Sequence, residues 1–133
     1  MHPGAAFGSK RWPAERCAAN LAGRTDLAGL AALVRRAALV VSGDTGVAHL
    51  AGAYERPSVV LSGPASPRIW GPPRKPVHAA LWHGTDEREV LTHAPDPALL
   101  AITVDEALDA ARRVLAAEGR RRLPRSAGGS QRP

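Results

Sequence analysis

Two short apolar runs limit what this chain can fold into: Ala38-Leu39-Val40-Val41-Ser42 and Ser58-Val59-Val60-Leu61-Ser62. A strand that is wet on one face alternates apolar with polar residues. These runs do not alternate, which fits strands covered on both faces, as in a parallel sheet sandwiched by helices. Between them stand a tight turn, Gly43-Asp44-Thr45-Gly46, and an Ala-rich segment from Val47 to Tyr54 that suits a short helix. Strand, turn, helix and strand make a βαβ unit, for which a right-handed crossover is expected. The predicted class is therefore α/β, a Rossmann-like parallel sheet flanked by helices.

The 133 residues are enough for one domain. Residues 1–12 read as a loop. Pro13-Ala14-Glu15-Arg16 opens a helix to about Asn20, since proline suits a first turn. Thr25 or Asp26 caps the next helix, whose apolar positions are Leu27, Leu30, Ala31 and Val34, with Arg35 and Arg36 in its last turn. After the second strand, Gly63-Pro64 starts a Pro-rich loop to Pro76, and Val77 to Trp82 is a third strand. Residues 84–97 read as loop. Thr103 and Glu106 form a capping box for a final helix to about Glu118, with Leu108, Ala111 and Leu115 on one face. The expected organisation is an α/β domain over residues 1–118 and a basic, disordered tail over residues 119–133.

Charge and composition narrow the function. The formal net charge of +6 points at first to nucleic acid. Five arginines (Arg120, Arg121, Arg122, Arg125, Arg132) lie in the last fifteen residues without an acid, and the other thirteen basic residues nearly cancel twelve acidic ones. The basicity belongs to a solvated tail that can touch acidic head groups or RNA weakly, so no specific nucleic-acid partner is expected. Aromatic residues at 4% are too few for a base-stacking platform. No apolar run approaches the roughly 18–20 residues of a membrane span, and no leader peptide opens the chain. The expected location is the cytoplasm, with peripheral contact at the inner face of a membrane through the tail. Cys17, the single cysteine, excludes an intrachain disulfide and argues against a thiolate metal site.

The turn carries the chemistry. A glycine-flanked turn from strand to helix aims the first N–H groups and the positive end of the helix dipole at an anion. It lies at the carboxyl end of its strand, where open α/β sheets bind ligands. Asp44 can accept from sugar hydroxyls, Thr45 and Gly46 face a diphosphate, and His49, one turn on, can point back at the same ligand. The plainer alternative is a structural turn in which Asp44 caps the helix and His49 sits in the core. Asp-Thr-Gly also marks the active site of aspartic proteases, but those are all-β and the residues from Val47 on are helical in pattern. Lys10-Arg11-Trp12-Pro13 is a second candidate for a diphosphate, with a solvated basic pair as its alternative. Gly63-Pro64-Ala65-Ser66-Pro67 is a third, either a loop closing over a ligand or a rigid connector.

Taken together, His2-Pro3-Gly4, Lys10 to Pro13, Leu39 to Ala51 with its Asp-Thr-Gly-x-x-His-Leu-Ala core, Pro57 to Leu61 and Gly63-Pro64 resemble the C-terminal half of family 9 glycosyltransferases, the heptosyltransferase-like enzymes. The resemblance implies a GT-B architecture of two Rossmann domains, in which this half binds a nucleotide diphospho-sugar, typically ADP-heptose, as substrate. It implies that Lys10 contacts the diphosphate, that Asp44 holds the donor sugar, and that Thr45, Gly46 and His49 line the sugar–phosphate site. It implies no cofactor and no essential metal. Two departures stand out. The N-terminal acceptor domain, which carries the family's catalytic base, is not in this sequence. Ala18-Ala19-Asn20 also runs almost directly into Leu21, so one βα unit and its nucleoside-contacting acid are missing. Ser62 stands where the family often has an aromatic residue. The expected function is the donor-binding half of a glycosyltransferase, with a non-catalytic remnant, or a chain completed by a partner, as the alternative.

Overall fold

The computed structural model describes residues 23–85 and 94–123. Their elements are α1 (Leu27–Arg36), β1 (Val40–Gly43), α2 (Gly46–Ala53), β2 (Ser58–Leu61), α3 (Pro67–Trp70), β3 (His78–Leu81), α4 (Pro97–Ala101) and α5 (Val104–Arg122). The three strands form one parallel sheet in the order β1-β2-β3. Their ends are level, because Val40 pairs with Ser58 and Ser58 with His78, while Gly43 pairs with Leu61 and Leu61 with Leu81.

The unalternating apolar runs are explained by cover on both faces. On one face Val40 packs with Val34 of α1 and with Val47 and Ala51 of α2. On the other, Val59 and Leu61 join Leu99 of α4, Ile102, and Ala107, Ala110 and Val114 of α5. Every residue of the central strand β2 is buried. At about 1.5–3 kcal/mol per fully buried branched side chain, this strand anchors the domain.

Caps fix the helix ends. Asp26 accepts from the N–H of Gly29 at 2.7 Å. Ser66 starts α3 by accepting from Arg68 N–H, with Pro67 at the first position. Asp96 does the same for α4, and the Thr103–Glu106 capping box is complete. At the end of α2, Arg56 N–H donates to Ala51 O and Glu55 N–H to Gly52 O, a Schellman closure that puts Glu55 at φ 51° in the left-handed region.

Several expectations are corrected. In α1, Leu27 is exposed and Val34 carries the burial. The Pro-rich loop contains a one-turn helix, α3, and the segment before the capping box contains α4, whose Leu99 and the following Ile102 are fully buried. In α5 the inward face is Ala107, Ala110, Val114 and Ala117, while Leu108 and Leu115 are exposed. Small residues win the inward face because they let the helix approach the sheet closely. α5 also continues to Arg122, four residues past the expected end, and Arg121 and Arg122 pair with Glu118. The helix expected over residues 13–20 and the end of the tail lie outside the described residues.

Candidate functional site at the carboxyl ends of the strands

The Asp44-Thr45-Gly46 turn leaves β1 and enters α2 at the carboxyl edge of the sheet. Asp44 is buried, held at the strand end beside the start of α2. Thr45 is the cap residue of α2, with extended backbone, yet its hydroxyl makes no bond to the helix N–H groups. It turns back to Gly43 O at 3.5 Å, a long contact. A threonine at this position usually spends its oxygen on the second or third helical N–H. Here the hydroxyl stays at the turn.

Gly46 is not demanded by packing. A Cβ added there would meet no heavy atom within 4 Å. The absent side chain leaves open space over the backbone where the helix begins, the approach an anion needs. His49 follows one turn later and is exposed, which overturns the alternative that placed it in the core. Asp44, Thr45, Gly46 and His49 are thus brought together by one contiguous turn and helix start. Lys10 and Arg11, the other diphosphate candidates, and Cys17 lie outside the described residues.

Gly63 and Pro64 lie at the end of β2, next to this turn, because the strands are neighbours and level. Gly63 is buried, and its carbonyl accepts from Trp82 Nε1 at 3.0 Å, while Ser62 N–H donates to Leu81 O. Ala65 and Ser66 beyond it are buried as well. The segment forms an anchored rim tied to the exit of β3, as a rigid connector would.

Other residues were not visible in the sequence. Ser42 Oγ, just before the turn, is buried without a hydrogen-bond partner among the described residues. His83 at the exit of β3 bonds Glu106 at 2.8 Å. The Glu106 carboxyl is held below its usual range chiefly by the Thr103 N–H, then by the Thr103 hydroxyl and His83. Trp70 is exposed and faces a groove of about 290 Å³ that His49 also lines. The capping box was legible because it is local, whereas these juxtapositions join segments about twenty residues apart.

The opposite rim, at the amino ends of the strands, is built differently. Glu55 pairs with Lys75 and with Arg121, and Arg121 also bonds Glu118 at 2.8 Å. Lys75 and then Arg121 lower the Glu55 pKa. His78 Nδ1 lies 2.8 Å from Ser58 Oγ, and its pKa is lowered first by burial and then by the Lys75 charge. This rim is a knot of ion pairs; the other is a glycine-opened turn with small polar groups.

Comparison with known proteins agrees with the α/β fold. The family model of glycosyltransferase family 9 (heptosyltransferase) matches residues 13–91. Among solved structures, the chain is similar to E. coli ADP-heptose LPS heptosyltransferase II, with 25% identity and a TM-score of 0.71 over 88% of this chain. The chain spans 46% of that protein's length. No curated protein matches the chain. Among the described residues, no helix is long and apolar enough to cross a membrane.

Proposed function

This chain belongs to glycosyltransferase family 9, and on that premise we propose that it is the donor-binding half of an enzyme that moves a sugar from a nucleotide diphospho-sugar to an acceptor hydroxyl. The observation that carries the proposal is the turn itself: a buried Asp44, a Thr45 hydroxyl not used for capping, and open space over Gly46 at the start of α2. In sugar transfer the acceptor oxygen attacks the anomeric carbon and the nucleoside diphosphate leaves. Negative charge grows on the leaving oxygen. Donors fixed beforehand at that position stabilise the transition state without reorganising.

In this reading the backbone at Gly46 and the Thr45 hydroxyl hold the diphosphate, with Lys10 adding a cation. Asp44 accepts from hydroxyls of the donor sugar, and His49 donates to the sugar or phosphate. The anchored Gly63-Pro64 segment is the fixed rim beside them. No residue of the turn is assigned as the base that deprotonates the acceptor. ADP-heptose, the substrate in the name of the similar E. coli enzyme, is the donor to try first.

Calorimetric titration with ADP-heptose tests this. The chain is expected to bind it, Asp44→Ala to abolish binding, and Gly46→Val to block binding while leaving the melting temperature nearly unchanged. Retention of wild-type affinity by Asp44→Ala removes the assignment of the turn.

A second reading is favoured by one feature. Among the described residues β1 is an edge strand, and a groove of about 410 Å³ beside it is lined by Leu30, Leu33, Leu39 and Val41. On this reading a partner chain completes the sheet, and the isolated chain binds nucleotide without turning over. Transferase turnover by the chain alone rules it out.

A further inference from the structure

The groove between α2 and the segment after α3 joins His49 to an aromatic and prolines that the proposed turn chemistry does not use. Helix α2 descends from the turn, and residues 71–76 descend beside it to the start of β3. The two approach closely at the bottom, where a Cβ added to Gly52 would lie 3.0 Å from Pro73 Cδ. Between them a volume of about 290 Å³ opens, walled by His49 and Gly52 on one side and by Trp70, Pro72 and Pro73 on the other. Trp70 is 55% exposed. Among the described residues it is the one exposed aromatic side chain, in a sequence with few aromatics.

These walls match one kind of ligand. A pyranose ring carries C–H bonds on its faces and hydroxyls around its edge. An indole face, electron-rich at its centre, attracts polarised C–H groups. The prolines offer further apolar ring surface and no backbone N–H. His49 supplies a ring nitrogen that can donate to or accept from an edge hydroxyl. The volume lies at the lower end of the roughly 300–1,000 Å³ usual for small-molecule sites, which suits one sugar ring rather than a whole nucleotide diphospho-sugar. His49 is four residues beyond Thr45, about one helical turn or ~5 Å along the axis. A diphosphate at the turn would therefore leave a sugar ring within reach of the groove.

We infer that the Trp70–His49 groove is a binding platform for a single pyranose ring. The inference rests on the donor-site reading for its place beside the turn. The ring belongs either to the donor or to the acceptor, and the two sources can be told apart.

The test follows the Trp70 indole N–H signal of the whole chain by NMR, assigned with Trp70→Phe, while ADP, ADP-heptose and a methyl heptopyranoside are titrated separately. A donor ring predicts that ADP-heptose shifts the signal and ADP does not. Trp70→Ala should then weaken ADP-heptose about tenfold without changing ADP, and Trp70→Phe should restore most of the loss. An acceptor ring predicts that the methyl heptopyranoside shifts the signal and that Trp70→Ala leaves ADP-heptose affinity unchanged. A Trp70 signal that neither sugar probe moves overturns the platform, and binding of ADP at the turn would still uphold the donor-site reading. A response to ADP as large as that to ADP-heptose also overturns it, since the occupant is then the base. A response to the heptopyranoside in a chain that does not bind ADP or ADP-heptose keeps the platform and removes the donor-site reading.

Discussion

At the scale of single residues, the two most informative side chains outside the site are Glu55 and His78. Glu55 occupies a left-handed position that glycine would adopt without steric cost, and it is held there by contacts to Lys75 and Arg121. Exposed ion pairs contribute about 0–1 kcal/mol, whereas left-handed backbone costs a non-glycine residue about 1–2 kcal/mol. Glu55→Gly is therefore expected to leave stability in urea unfolding unchanged or slightly raised. A clear loss would show that the ion pairs dominate. His78 gives a pH dependence. Burial and the Lys75 charge lower its folded pKa, so the unfolded chain binds the proton more readily. Its contribution to stability is complete above the ordinary imidazole value of about 6.5 and is lost as pH falls from there towards the lower folded pKa. Unfolding free energies measured between pH 7.5 and 5.5 should decline, and His78→Gln should flatten that decline. An unaltered slope in the variant would assign the effect to other groups. The lowered Glu55, Glu106 and Glu118 carboxyls lose their contributions in a separate, more acidic window.

At the scale of elements, α5 shows what sequence pattern can and cannot tell. Its start was legible, since a capping box is a local signal. Its buried face was not, because both the leucine stripe and the alanine stripe have helical spacing. Size broke the tie: Ala110 is wholly buried against the sheet, and Leu108 and Leu115 are outside. Ala110→Leu is expected to cost about 1–3 kcal/mol by overpacking, while Leu108→Ala should cost well under about 1 kcal/mol, as for exposed positions generally. Thermal denaturation of the pair checks this, and the reverse order would mean that the leucine face is the packed one. The strands and α2 were readable because an apolar run without alternation allows few environments. α3 and α4 were not, at four and five residues, since periodicity needs a longer window. The turn from Asp44 to His49 was readable because it is contiguous. Trp70 was not, because its partner in the groove, His49, is brought to it only by the fold.

At the scale of the whole molecule, no strand among the described residues pairs with β1 on the side away from β2. Val40 N–H donates to Pro57 O, towards β2, so the alternate residues Val41 and Gly43 direct their backbone groups to the other side, where the described residues offer no strand. Leu33, half-exposed, lines the apolar groove there. An edge of this kind invites pairing with another chain. Sedimentation velocity is expected to show concentration-dependent association that Leu33→Lys weakens; a monomer at every concentration would show that the edge is covered. The level register of the three strands has a different consequence. It separates the domain into a floor locked by charge and a roof opened by glycine, with no strand end crossing between them. Substitutions in the roof, at Thr45 or Trp70, need not disturb the floor at Glu55, Lys75 and Arg121. A lineage built on this plan is free to vary the side chains of the roof while inheriting its means of folding from the floor unchanged.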